Sequence, residues 1–294
     1  MMSESHFQTV NQLPAIHKRE RDGNKGTFGK VLLITGSRGM SGAAVLSGLG
    51  ALRGGAGLVY VAVPAGIQDI VASAESSYLT IRLSEDENGR IDINQIHRNE
   101  LITPFLKLGF AIAIGPGCGQ SESLKNLVKW IYEVSEAPVV LDADALNLLS
   151  QLDQLPEDMK GPRILTPHPG EFSRLTNLSI KEIQANREKH AVEYAKKNRI
   201  TLLLKGANTI ITNGDKLAVN PTGNPGMATG GSGDVLTGLL AALLAQGYSP
   251  FDAAQLGAYL HGLAGDLAAI EFSQNGMIAS DIPKCLSKAW KKIR

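Results

Sequence analysis

Residues 220–238, NPTGNPGMATGGSGDVLTG, set six of the chain's 32 glycines beside one carboxylate, Asp234. Gly231, Ser232 and Gly233 come immediately before it. Val235, Leu236, Leu239, Leu240, Leu243 and Leu244 follow at helical spacing, so the glycines fall at a helix N-terminus. The first backbone N–H groups of a helix lack intrahelical partners, and the dipole adds roughly half a positive charge. Glycine lets that backbone approach a phosphate closely. A carboxylate in the same place repels an anion unless it acts on something beside it. The chemistry implied is an anion cradle with a general base at its edge. A plain helix cap would also use Ser232 and Asp234, but it does not require so many glycines.

The elements that must position this turn alternate along the chain. Short apolar runs at 30–35, 58–63, 110–114, 138–142, 163–166 and 201–205 read as buried strands, with helical patterns at 41–53, 122–134 and 180–198 among them. Asn213-Gly214 marks a hairpin between runs at 208–212 and 216–219. Helices at 250–272 and 278–293 close the chain, and 76–99 reads as a surface excursion. Strand–helix alternation implies a three-layer α/β/α fold with a mostly parallel sheet. Strands of a parallel sheet share one carboxyl edge, so the loops at 36–42, 115–119, 142–147, 166–171 and 205–209 should meet the Gly231–Asp234 turn in one cleft. Neither a P-loop nor a Gly-x-Gly-x-x-Gly fingerprint is present. The helix at 41–53 is rich in Gly and Ala, which fits tight helix–sheet packing better than room for a ligand. His168 sits between two prolines, Lys205 ends a strand, and Asp142 and Asp144 read equally as a metal pair or as a helix cap. His261 and Asp266 read as packing residues.

The 294 residues carry a net charge of +1, and no basic patch with interleaved aromatics argues for nucleic acid. Two cysteines, Cys118 and Cys285, make neither a disulfide framework nor a zinc site. No apolar run approaches 18 residues and no signal pattern opens the chain, so a cytoplasmic protein with no membrane contact is expected. Residues 1–24 read as an irregular arm, and 25–294 as one α/β domain.

The string from Asn220 to Asp234, with Gly115-Pro116-Gly117, Asp142-Ala143-Asp144-Ala145-Leu146-Asn147, Thr166-Pro167-His168-Pro169-Gly170-Glu171 and Lys205-Gly206, resembles the ADP/ATP-dependent NAD(P)H-hydrate dehydratases of the ribokinase-like superfamily. The resemblance runs in unbroken order over about residues 25–293. It implies dehydration of the S-epimer of hydrated NADH or NADPH, with ADP or ATP as co-substrate and Mg2+ as cofactor, releasing AMP or ADP and phosphate. A phosphoryl group would activate the C6 hydroxyl as a leaving group, with Asp234 as base. By the same resemblance Ala43, Gly117, His168 and Asp234 contact the hydrated dinucleotide. Lys205, Gly206, Ala207, Asn208, Thr209, Gly231, Ser232 and Gly233 contact the nucleotide. Asn147, Glu171 and Asn220 match family motifs without individual roles, and the metal ligands stay unassigned. A homotetramer is implied by analogy, as is an epimerase acting from another chain. The same fold also serves small-molecule kinases acting on vitamin precursors, and a nucleotide sensor with no turnover would use the same cleft.

Overall fold

Strand residues 30–34, KVLLI, send Val31 and Leu33 to one hydrophobic cluster and Leu32 and Ile34 to the other, which is why the run is apolar throughout rather than alternating. The computed structural model describes residues 7–93, 98 and 100–293. Its sheet contains β1 (Gln8–Thr9), β2 (Lys30–Ile34), β3 (Leu58–Pro64), β4 (Tyr78–Leu83), β5 (Phe110–Ile114), β6 (Val139–Leu141), β7 (Arg163–Leu165), β8 (Thr201–Leu204), β9 (Thr209–Thr212) and β10 (Lys216–Asn220), in the spatial order 1-10-9-8-7-6-5-2-3-4. Strand β9 runs antiparallel to both neighbours, and the other pairings are parallel. The helices are α1 (Ser41–Gly54), α2 (Gln68–Ala74), α3 (Glu122–Val134), α4 (Asp144–Leu149), α5 (Pro169–Thr176), α6 (Ile180–Ala185), α7 (Arg187–Asn198), α8 (Ser232–Ala245), α9 (Pro250–Phe272) and α10 (Asp281–Lys292). Helices α1, α8, α9 and α10 bury side chains in one cluster, and α3, α4, α5 and α7 in the other. The expected three-layer α/β/α architecture is therefore present.

From β2 the chain steps outward through β3 and β4, then returns to β5 on the other side of β2 and steps outward again through β8. That reversal between β2 and β5 is a topological switch point, where open α/β sheets form a crevice. Asn213-Gly214 does turn the chain between β9 and β10, with Gly214 at φ 94°.

Four expectations change. The excursion at 76–99 contains an edge strand, β4, whose partly exposed residues blur the apolar pattern; residues 94–97 and 99 lie outside the described residues. The arm adds β1 to the free edge of β10, and His17 stacks on Tyr248 with centroids 3.8 Å apart. It is bound to its own molecule from residue 7 onward, while residues 1–6 lie outside the described residues. The helix expected over 180–198 breaks at Asn186, whose φ of −146° and ψ of 53° leave the helical region. The small residues of α1 meet α8 as well as the sheet: a Cβ on Gly48 would collide with Tyr78 of β4, one on Gly50 with Val235 O, and one on Gly238 with Ser47 O.

Candidate active site

The loops after β2 and β5 flank the switch point and are bonded to each other. Gly36 N donates to Pro116 O (2.8 Å), and Ser37 Oγ donates to Gly117 O (2.7 Å). Gly117 has φ 64°, and a Cβ there would stand 2.7 Å from the Ala43 Cβ. Both reasons demand glycine, and they place Ala43 and Gly117 in contact. The next loop is joined through Gly119 N, which donates to Asp144 Oδ2 (2.7 Å).

Asp142, 1% exposed, is the hub of the cleft. Its Oδ1 accepts from Lys205 Nζ (2.7 Å) and its Oδ2 from Thr237 Oγ1 (2.7 Å). This ties the end of β6 to the end of β8 and to α8. Burial acts to raise the Asp142 pKa, but the Lys205 charge and the hydrogen bonds from Lys205, Thr237 and Thr166 hold it below the usual carboxylate value. Burial also acts to lower the Lys205 pKa, and Asp142 and Glu171 outweigh it, so the ammonium persists. The helix-cap reading of Asp142 fails: α4 is preceded by Ala143, with no side-chain cap, and both aspartates of the motif hold other loops.

Helix α8 starts after Gly231, whose φ of 98° admits glycine in preference to other residues. A Cβ on Gly233 would lie 3.5 Å from Lys205 Nζ and 3.6 Å from Asp142 Oδ2, so the cradle and the ion pair are adjacent. Ser232 is 7% exposed, and its Oγ has no hydrogen-bond partner among the described residues. An unpartnered buried hydroxyl at a helix N-terminus fits an oxyanion as its missing partner. Asp234 is partly buried, and burial followed by repulsion from Asp142 pushes its carboxyl up to about 7, with Lys205 opposing. A carboxylate poised there takes a proton efficiently near neutrality.

His168 caps α5. Its Nδ1 accepts from Gly170 N (3.0 Å) and Glu171 N (3.4 Å), while Glu171 Oε2 accepts from His168 N (2.8 Å). Burial lowers its pKa, so the ring is neutral, with Nε2 carrying the proton. The 205–209 loop is anchored by Lys205 N, which donates to Pro167 O (2.8 Å). Asn208 is left-handed at φ 55°, and Thr209 Oγ1 donates to Gly206 O (2.9 Å). Lys205 thus joins the loop that carries Gly206, Ala207, Asn208 and Thr209 to the Gly231–Gly233 cradle, and the five expected loops are bonded to one another.

The model of the NAD(P)H-hydrate dehydratase family matches residues 31–288. The chain belongs to the NAD(P)H-hydrate dehydratase family. It is 44% identical, over 92% of its length, to a bifunctional NAD(P)H-hydrate repair enzyme of Moorella thermoacetica, of which it covers 50%. The chain spans about half the length of the bifunctional relatives it matches. It superposes with a TM-score of 0.80 and 32% identity on an ADP/ATP-dependent NAD(P)H-hydrate dehydratase from Bacillus subtilis, co-crystallised with ATP and Mg2+, covering 95% of both chains. A ribokinase-like superfamily protein from Enterococcus faecalis aligns at 29% identity and a TM-score of 0.76, over 94% of this chain and 92% of that one.

One residue that holds this dehydratase-family site, Arg187, was not singled out from sequence. Arg187 donates to Ala207 O (2.7 Å), Leu204 O (3.2 Å) and Lys205 O (3.3 Å), cradling the 205–209 loop from outside. Thr237, a hydroxyl on an otherwise apolar helix face, positions Asp142. His261 lies against Ser232 O (2.9 Å), its pKa lowered to about 4 by burial, and Asp266 accepts from Gly223 N and Asn224 Nδ2 (3.0 Å each). Both brace the glycine-rich loop, in keeping with a packing role. Asn220 is turned inward to Ala258 O and Thr222 O (3.2 Å each). Among the described residues no three His, Cys, Asp or Glu side chains form a metal cluster. A Mg2+ ion would therefore be held there mainly by the oxygens of a bound nucleotide's phosphates.

Proposed function

We propose that this chain dehydrates the S-epimer of hydrated NADH and NADPH to the reduced cofactors, using ADP or ATP and releasing AMP or ADP with phosphate. The observation that carries the reading is Asp234: a carboxylate raised to about 7, at the start of α8, one residue from the Gly231–Gly233 cradle. In this mechanism Asp234 takes the proton of the C6 hydroxyl. The hydroxyl oxygen attacks the terminal phosphorus, and the bond from that phosphorus to the nucleotide's bridging oxygen breaks. The C6–O bond then breaks with phosphate as leaving group, the C5 proton passes to the departing phosphate, and the ring double bond returns. Backbone N–H groups of Gly231 and Gly233, with the unpartnered Ser232 hydroxyl, stabilise the transferring group without reorganising. Lys205, held by Asp142, adds a fixed positive charge beside them. Mg2+ bound to the nucleotide would neutralise phosphate charge.

Ala43 and Gly117 lie in contact at the switch point, and His168 follows β7 on the same sheet edge, which supports dinucleotide contact along that edge. The loop of Gly206, Ala207, Asn208 and Thr209, joined to the cradle through Lys205, supports their contact with the nucleotide. The reading takes residues 25–294 as the dehydratase unit and extends to a homotetramer acting in the cytoplasm, with an epimerase supplying the S-epimer. Exposed apolar side chains at Ile270, Phe272 and Ile278 are consistent with self-association. Among the described residues, no helix is long and apolar enough to cross a membrane.

The test is absorbance. Hydrated NADH mixed with the chain, Mg2+ and either ADP or ATP should regain the reduced-nicotinamide band, and failure with both nucleotides overturns the reading.

A further inference from the structure

We propose that a polar cavity between α4 and α5 docks a phosphate of the hydrated dinucleotide's second half, with Arg174 as the residue that sets phosphate specificity. The proposal rests on the dehydratase reading above. The cavity measures about 400 Å³ and is lined by Gln120, Asn147, Ser150, Gln151 and Arg174. It adjoins the substrate side of the cleft through three elements. Gln120 is three residues beyond Gly117, Asn147 three beyond Asp144, and Arg174 six beyond His168. At 1.5 Å per residue the last offset is about 9 Å along α5. A dinucleotide whose nicotinamide ring meets Asp234 and His168 is long enough for its second nucleotide to span that distance.

The chemistry of the lining selects an anion. Asn147 Oδ1 is taken by Arg174 Nε (2.9 Å), and Gln120 Oε1 by Gln151 Nε2 (3.0 Å). Their acceptors are thus used within the cavity. Asn147 Nδ2, Gln120 Nε2 and the two terminal nitrogens of Arg174 remain as donors with no partner among the described residues. No carboxylate pairs with Arg174 among those residues. A guanidinium whose Nε is anchored presents its remaining N–H groups in a fixed fork, the geometry that suits a phosphate. Arg90 Nη1 donates to Gln120 O (2.7 Å) and fixes the cavity's near wall.

The dinucleotide offers two such phosphates, its diphosphate bridge and, in the NADPH form, the 2′-phosphate. Arg174→Gln keeps a donor near Asn147 and removes the charge. With ADP saturating, the variant is expected to raise KM for hydrated NADPH about tenfold or more while kcat and the KM for ADP hold. A rise confined to hydrated NADPH identifies the 2′-phosphate, and an equal rise for both forms identifies the diphosphate bridge. Unchanged KM for both overturns the proposal, as does a parallel loss of kcat and ADP affinity, which marks a merely structural arginine. Calorimetric titration of wild type and variant with NADPH and NADH reads the cavity without turnover. A wild type that binds these but turns nothing over sinks the dehydratase reading, and the variant's binding then decides the cavity by itself.

Discussion

Asp234 sets the pH behaviour of both activity and stability. With its carboxyl raised to about 7, kcat/KM should climb as pH rises through about 7 and level off above, because the base must be ionised. Steady-state rates from about pH 5.5 to 8.5 check this. Stability runs the other way. The folded state holds the Asp234 proton more tightly than the unfolded chain, whose value is 3.8, so stability falls as pH rises between 3.8 and about 7. Asp234→Asn removes the cost of a buried charge. It should abolish turnover yet raise the Tm at pH 8, and the gain should shrink as pH falls and vanish well below 3.8, where wild type is neutral in both states. An active variant, or one destabilised at pH 8, would sink the assignment. The ion pair behind it behaves differently. Lys205→Ala strands the Asp142 charge in the core and should cost on the order of 3–5 kcal/mol in urea unfolding. Adding Asp142→Asn should return much of that loss, since no uncompensated charge remains.

At the scale of elements, the cradle depends on how closely α1 can approach α8. Gly238 faces the Ser47 carbonyl with no room for a methyl group, and backbone cannot move aside as a side chain can. Gly238→Ala should therefore destabilise by about 1–3 kcal/mol, and it should weaken ADP affinity because the start of α8 shifts with it. Denaturation and nucleotide titration read the two effects separately. The same contact explains why the sequence of α1 is so poor in large apolar residues. The break at Asn186 belongs to this scale too: one continuous helix over 180–198 would not start a new turn at Arg187, whose guanidinium holds the 205–209 loop through three carbonyls.

For the whole molecule, five loops from separate strands are bonded into one cleft, and a ligand that bridges them stabilises only the folded chain. ADP with Mg2+ at about 100 times its Kd should add about 2.7 kcal/mol, seen as a rising Tm. No shift with any adenine nucleotide would contradict the cradle. Much of this was legible in residues alone. The α/β/α alternation, the strands, the Asn213-Gly214 hairpin and the convergence of strand-end loops follow from periodicity and from the shared carboxyl edge of parallel strands, which are local or topological rules. The glycines before Asp234 announced a helix start because backbone geometry is written locally. What the sequence left open depends on distance through space. The edge strand β4 was obscured because one-sided burial weakens its pattern. The choice between cap, metal and ion pair for Asp142 turned on Lys205 and Thr237, residues 63 and 95 positions away. The shift of Asp234 to about 7 likewise needs the burial and the neighbouring carboxylate that folding supplies. The sequence determined which groups exist and along which edge they gather. Tertiary structure alone decided their charges and partners, because desolvation and Coulomb forces act between residues that only the folded chain brings together.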